Sequence, residues 1–239
     1  MDELEIRRKV RDRYANAGDS CCGPSATGCC DANLVPLDAV GSADLRDIAR
    51  LGVGDPMEVL APRAGEVVVD LGSGPGRDVL FAAERVGPHG RAIGVDATPE
   101  MVYRARQAAT SLGRGNAEFR LGEIEHLPLD SDTVDGIASD CVINLSPDKV
   151  QVFREAFRVL KPGGRIVVSD VVADRELPPE IRQDAERWAA CEAGAVTQDA
   201  YVSLMREVGF EEIRAEQKGT YREGLSRAIV TGRKPARRA

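Results

Sequence analysis

The stretch Val67-Val68-Val69-Asp70-Leu71-Gly72-Ser73-Gly74-Pro75-Gly76-Arg77-Asp78 constrains the fold more than any other part of the chain. Three valines ending in an acid read as a buried parallel strand. The glycines that follow let the backbone turn tightly and approach a ligand closely, and helical spacing resumes at Asp78-Val79-Leu80-Phe81. A second strand, Arg91 to Val95, ends at Asp96, 20 residues past Gly76. An acid at that distance is placed to accept hydrogen bonds from the two hydroxyls of a ribose. Strand, loop, helix, strand and acid in this order predict a nucleoside-containing cofactor.

The glycine spacing narrows the choice of cofactor. A dinucleotide loop reads Gly-x-Gly-x-x-Gly. Here the order is Gly72-x-Gly74-x-Gly76, with Arg77 where the third dinucleotide glycine would fall. Asp-Leu-Gly-Ser-Gly-Pro-Gly resembles the first motif of class I S-adenosylmethionine methyltransferases, whose cofactor carries no phosphate. That resemblance implies a cofactor cradle of Asp70, Gly72, Ser73, Gly74 and Gly76, with Asp96 and the following Ala97 at the ribose.

From Val67 onward the pattern alternates. It predicts strands at 67–71, 91–95, 117–121, 134–139 and 165–170, and helices at 77–86, 99–112 and 148–160. Such alternation argues for an α/β fold, a doubly wound parallel sheet with helices on both faces. Helices are expected at 179–193 and 198–208, with Gly209 as the stop, and strands at 211–217 and 226–232. The family resemblance implies a mostly parallel seven-stranded, Rossmann-like sheet with an antiparallel edge. Ligands of open α/β sheets bind at the carboxyl ends of the strands, which places Asp70–Gly76, Asp96, Glu123 and Asp140-Cys141 on one rim. Ahead of the sheet, residues 3–17 have helical spacing (Leu4, Ile6, Val10, Tyr14) and end at Gly18. Residues 19–38 read as a cysteine-rich loop or flap, 43–51 as a short helix, and 52–65 as a connection. The expected division is therefore an N-terminal helix and flap over 1–60 and a methyltransferase domain over 61–239.

The 239-residue chain has a net charge of −7, which argues against broad binding to a phosphate backbone. It has no apolar run approaching a membrane span, and Met1-Asp2-Glu3-Leu4-Glu5 lacks a basic-then-apolar secretion signal. No membrane or nucleic-acid partner is expected, and the default location is the cytoplasm.

Gly122-Glu123-Ile124-Glu125-His126 follows the third strand. In methyltransferases with a similar segment the first acid accepts from the adenine amino group and the next backbone amide meets a ring nitrogen; the resemblance gives those roles to Glu123 and Ile124. An acidic surface loop is the alternative reading. Neither His126 nor His89 has a neighbour in sequence that would make it a general base.

Six cysteines carry the second clue: Cys21, Cys22, Cys29, Cys30, Cys141 and Cys191. The first four are spaced Cys-Cys-x6-Cys-Cys, without the Cys-x2-Cys knuckle usual for structural zinc. Adjacent pairs in a polar loop make poor core. Exposed thiols point to redox chemistry or to capture of a soft, thiophilic ion.

Ser139-Asp140-Cys141-Val142-Ile143-Asn144-Leu145-Ser146-Pro147-Asp148-Lys149 resembles the segment of arsenite methyltransferases that carries an arsenic-binding cysteine. Cys191-Glu192-Ala193-Gly194-Ala195 is similar to a second arsenic-cysteine segment, and Ser20-Cys21-Cys22 to the family's N-terminal cysteine pair. The resemblance runs from about Arg7 to Glu212, and Cys141 with Asn144-Leu145-Ser146 is its specific part. It implies methyl transfer from S-adenosylmethionine, leaving S-adenosylhomocysteine, to trivalent arsenic held by cysteine thiolates, with a thiol reductant. The arsenic ligands would be Cys141 and Cys191, either joined by one of Cys21, Cys22, Cys29 and Cys30 or left as a two-thiolate site suited to an arsenical that already bears a methyl group, and the substrate a trivalent arsenical delivered from a small-thiol complex. Three departures stand out. The family usually carries a cysteine before the first motif, where Leu51-Gly52-Val53-Gly54-Asp55-Pro56 has Val53. Asp140 stands where asparagine is usual, to meet the cofactor's ammonium group or to cap the next segment, and Ala97 stands where methionine often follows the ribose acid. The competing readings are a C-, O- or N-methyltransferase of a small metabolite, in which Cys141 and Cys191 are packing residues, and a non-enzymatic metalloid-binding protein.

Overall fold

A computed structural model of the chain describes residues 2–15, 48 and 52–237. Its centre is a seven-stranded sheet in the order β3-β2-β1-β4-β5-β7-β6. The strands are β1 (Val67–Leu71), β2 (Arg91–Asp96), β3 (Ala117–Leu121), β4 (Val134–Asp140), β5 (Leu160–Ala173), β6 (Glu211–Arg222) and β7 (Leu225–Arg233). Pairing from β3 through β5 is parallel, and β7 runs antiparallel to both β5 and β6. The reversed strand therefore sits one place in from the edge, and β6 forms the edge itself.

Side-chain alternation along the buried strands feeds two cores. Val69, Leu71, Ile93, Val95, Ile137, Ile166 and Val168 point to one face, where α5 (Lys149–Val159) and α8 (Gln198–Val208) contribute Phe153, Ala156, Tyr201 and Met205. Phe153 and Tyr201 meet edge to face, with ring centroids 5.6 Å apart. Val68, Ala92, Ala138 and Val167 point to the other face, covered by α3 (Arg77–Val86) and α4 (Pro99–Ser111). The alternation thus produces the expected helix layers on both sides.

Several elements differ from the sequence expectation. The connection over 52–65 holds a short helix, α2 (Pro56–Leu60), whose Met57 and Leu60 are buried against the second core. Proline at its first turn and a left-handed Ala61 at its end make a helix too short to show periodicity. The single helix expected at 179–193 is two, α6 (Pro179–Arg182) and α7 (Ala185–Ala189). The Asp184 carboxylate accepts from the amides of Glu186 and Arg187, which starts a new helix where the old one was to continue. β5 is longer than predicted, beginning at Leu160, and a single 3-10 turn forms at Ile143–Leu145. The N-terminal helix α1 spans Glu3–Ala15; Ile6 is buried, but Leu4 is 78% exposed. The expected flap at 19–38, with Cys21, Cys22, Cys29 and Cys30, lies outside the described residues, as do the Gly18 cap and all of the 43–51 helix but Ile48. No helix among the described residues is long and apolar enough to cross a membrane.

Candidate functional site

The carboxyl ends of β1, β2 and β4 open onto a cleft, covered on one side by α1. Gly72 and Gly74 line it in left-handed backbone conformations, at φ of 68° and 50°, which glycine adopts without steric cost. A side chain at Gly72 would meet Val142 at 2.5 Å, so the turn after β1 is pressed against the segment after β4. Gly76 also has positive φ, but it caps α3 and backs onto Phe119, away from the cleft. Ser73 is buried beneath the loop, and its hydroxyl makes no hydrogen bond in the structure.

Asp96 lies at the mouth of β2. Its two carboxylate oxygens accept from the amides of Gly74 and Thr98, both at 2.8 Å. Burial raises its pKa above the usual aspartate range, against the pull of those two amides. Asp70 at the end of β1 is fully buried, and burial together with the charges of Asp78, Asp140 and Asp96 holds its carboxyl well above the ordinary value. Four acids converging beneath one cleft make an environment suited to a positively charged ligand. A cofactor with a sulfonium and an ammonium group, no phosphate and a ribose to be held by Asp96 fits this donor set. A dinucleotide, with its negative pyrophosphate, does not.

Asp140 lines the cleft and also reaches across it. Its Oδ1 accepts from the amides of Val53 at 2.9 Å and Gly54 at 3.2 Å. The carboxylate thus clasps an upstream segment, a role that neither expectation named. A Cβ at Gly52 would fall 1.8 Å from Asp140 Oδ2, so a side chain there would push the carboxylate from its place.

Glu123, Ile124 and Ala97 line the same cleft. Sequence reasoning missed their partners on α1. Arg7 donates to Glu123 at 3.2 Å and to Glu125 at 2.9 Å, and Arg11 donates to Glu123. Glu125 is buried and accepts a further bond from the Ser146 hydroxyl at 2.6 Å. Arg7, Arg11 and Tyr14 recur at one face of the helix, a spacing that marks the face but not its target.

Cys141 forms part of the cleft wall, and Cys191 stands directly behind it; both are buried. The Cys191 thiol donates to the Cys141 carbonyl oxygen at 3.0 Å, and the Tyr14 hydroxyl lies 3.9 Å from the Cys191 sulfur. Both cysteines have left-handed backbones, φ 57° and 61°, which ordinary side chains disfavour. Val53 packs into the same apolar cluster and brings no donor atom to it. No group of three or more His, Cys, Asp and Glu side chains converges as a metal site among the described residues.

A methyltransferase-domain family model matches residues 62–209. The arsenite methyltransferase of Halobacterium salinarum is 39% identical over 99% of this chain and 68% of its own length. The arsenite methyltransferase of Aquipseudomonas alcaligenes is 38% identical over 87% of this chain, which spans 63% of that relative. Among solved structures, an arsenic(III) S-adenosylmethionine methyltransferase from Chlamydomonas reinhardtii superposes with a TM-score of 0.70 at 35% identity, over 83% of this chain and 72% of that one. A geranyl diphosphate C-methyltransferase from Streptomyces coelicolor, 18% identical, shares the fold with a TM-score of 0.65.

Proposed function

This chain belongs to the arsenite methyltransferase family of S-adenosylmethionine-dependent enzymes, and from that premise we propose that it methylates trivalent arsenic held by the thiolates of Cys141 and Cys191. One observation carries the assignment of residues: two cysteines 50 positions apart are in hydrogen-bond contact, and one of them walls the cofactor cleft. In a plain metabolite methyltransferase nothing would call for two buried thiols, each on a disfavoured backbone, at that place.

The chemistry follows from the donors. Trivalent arsenic is soft and prefers thiolate to nitrogen or oxygen ligands. As each As–S bond forms, an As–O bond or a bond to a small carrier thiol breaks, and the cysteine proton leaves on the displaced group. Bound S-adenosylmethionine supplies a methyl group on a positively charged sulfur, a leaving group that needs no proton. The chain's task is then alignment: Asp96, Gly72 and Gly74 hold the cofactor end of the cleft while Cys141 and Cys191 hold arsenic at the other. The arsenic lone pair would take the methyl carbon, and the C–S electron pair would stay on the departing thioether. No general base is required because the attacking atom carries no proton. Holding a reacting pair in line is worth about 7–11 kcal/mol in well-aligned cases. The arsenic leaves this step oxidised to the pentavalent state, and a thiol reductant returns it to the trivalent one.

Val53 bears on the substrate. With valine in the cluster where a third thiol would stand, Cys141 and Cys191 offer two As–S bonds. That number suits methylarsenite, in which one bond is already a methyl group; a third thiolate from Cys21, Cys22, Cys29 or Cys30 would extend the range to arsenite. The test is incubation of the protein with S-adenosylmethionine, a thiol reductant and either arsenical, with products identified by mass spectrometry. Turnover of methylarsenite alone supports a two-thiolate site, and turnover of both supports recruitment of an N-terminal cysteine. No methylated arsenic, with the cofactor still bound, removes the arsenic reading and leaves a methyltransferase of a small metabolite.

A further inference from the structure

The two cysteines lie on separate segments, residues 141–146 after β4 and 190–195 after α7, and nothing in the covalent chain sets their separation. Asn144 and Gly194 join the segments. The Asn144 side chain is fully buried; its Nδ2 donates to the carbonyl oxygen of Val171 at 2.6 Å and to that of Cys191 at 3.5 Å. Its backbone amide donates to Asp170 Oδ2 at 3.1 Å, which ties this turn to β5. On the other segment, Gly194 lies so close to Asn144 that a Cβ would fall 1.9 Å from the Asn144 carbonyl oxygen and 2.6 Å from the Trp188 ring. Gly194 is not among the residues with positive φ, so its backbone does not call for glycine. The missing side chain is needed for the approach of the two segments alone.

We propose that Asn144 and Gly194 are positioning residues that set the span between the Cys141 and Cys191 thiols, and so make two separate thiols into a chelate for a trivalent arsenical. This rests on the thiolate site proposed above. A chelate gains its affinity because the second bond forms within one molecule, and that gain disappears when the geometry forbids both bonds at once. A methyl group at position 194 meets a backbone oxygen, which has no flexible end to swing away. The segments must part, which works against both As–S bonds forming at once.

The test uses the full chain with the four N-terminal cysteines replaced (Cys21→Ser, Cys22→Ser, Cys29→Ser, Cys30→Ser), so that only Cys141 and Cys191 remain. Two probes are compared by equilibrium dialysis. Phenylarsine oxide exchanges its oxygen ligands for two thiolates, releasing water, and methylmercury takes one thiolate. Gly194→Ala and Asn144→Ala are expected to weaken phenylarsine oxide binding by about 10- to 100-fold. Methylmercury and S-adenosylhomocysteine binding should stay at the parent values, and the KM for methylarsenite should rise with little change in kcat. Gly136→Ala is the control, because its Cβ meets only the movable end of Leu60, at 3.1 Å. Phenylarsine oxide binding within threefold of the parent in both test variants overturns the proposal, as does an equal loss of methylmercury binding. Asn144→Ala opens space rather than filling it, and it decides the matter alone if Gly194→Ala loses S-adenosylhomocysteine binding. Failure of the thiolate site itself gives a different result: the parent would not bind one equivalent of phenylarsine oxide, or Cys141→Ser with Cys191→Ser would bind it equally well.

Discussion

Replacing Arg7 by methionine should release α1 from the cleft. The Glu125 side chain is 3% exposed, and its Oε2 is buried without a hydrogen bond in the structure. In Arg7→Met the carboxylate keeps only the Ser146 hydroxyl on its other oxygen. Removing one partner of a buried ion pair costs ~3–5 kcal/mol. Arg7 is a quarter exposed, so solvent reduces this to about 2–3 kcal/mol. What else holds α1 is of similar size. Ile6 is its one buried side chain, worth roughly 1.5–3 kcal/mol, and the Lys9–Glu186 pair lies in solvent, where salt and water screen it. A 13-residue helix is marginal in water by itself, so once undocked it melts. The docked population should therefore fall about 30- to 150-fold relative to the undocked one, at 1.4 kcal/mol per tenfold. Hydrogen exchange read by mass spectrometry over residues 3–15 measures this directly, and S-adenosylhomocysteine affinity should fall with it, since Arg7, Val10 and Tyr14 wall the cleft. Adding Glu125→Gln to Arg7→Met removes the stranded charge and should recover half or more of the protection. Unchanged exchange in Arg7→Met, or no recovery in the double variant, would show that the pair does not hold the helix.

Three further outcomes follow from the site. Val53→Cys exchanges two methyl groups for one thiol at a half-buried position, so stability should change by no more than about 1 kcal/mol; the variant should gain arsenite as a substrate, seen as methylated product by mass spectrometry. The raised Asp96 pKa means that this carboxylate protonates at a higher pH than an ordinary aspartate, and protonated it accepts fewer hydrogen bonds. Cofactor affinity should thus weaken as pH falls through that raised value, and calorimetric titration of Asp96→Asn should show weak binding with that dependence gone. Burial lifts the Asp170 carboxyl from 3.8 to about 6, so the folded state keeps a proton that the unfolded chain releases. Stability should accordingly fall as pH rises from 3.8 through about 6, and urea midpoints of Asp170→Asn should be flatter across that window.

Much of the fold was legible because buried strands and amphipathic helices write their periods into the sequence. The helix at Arg77–Val86 and the strands at Val67–Leu71 and Ala117–Leu121 fall where the pattern predicts them. What escaped is structure that depends on partners far along the chain. Pro56–Leu60 carries no period of its own and is helical because Met57 and Leu60 pack on the sheet. The stretch after Pro179 has helical composition, but the Asp184 cap restarts it. At the site, the glycine loop, Asp96 and both described cysteines were readable as local motifs. The links between them were not: Arg7 reaches Glu125 across 118 positions, and Asp140 clasps the amides of Val53 and Gly54 across more than 80. Nothing in the residues around Gly194 announces that Asn144 needs its empty flank.

The chain holds a single tryptophan, and its place makes it an internal spectroscopic gauge. Trp188 donates its indole N–H to the Arg182 carbonyl at 2.8 Å, shares a cluster with Ile6 of α1, and stands 5.1 Å from the Lys149 ammonium. It also lies against Gly194, three positions from Cys191. Docking of α1 changes how much water the ring sees, while any shift of the 190–195 segment changes its distance from a charge. Emission wavelength should follow the first event and quantum yield the second, so one unlabelled fluorophore can time helix closure against occupation of the thiols.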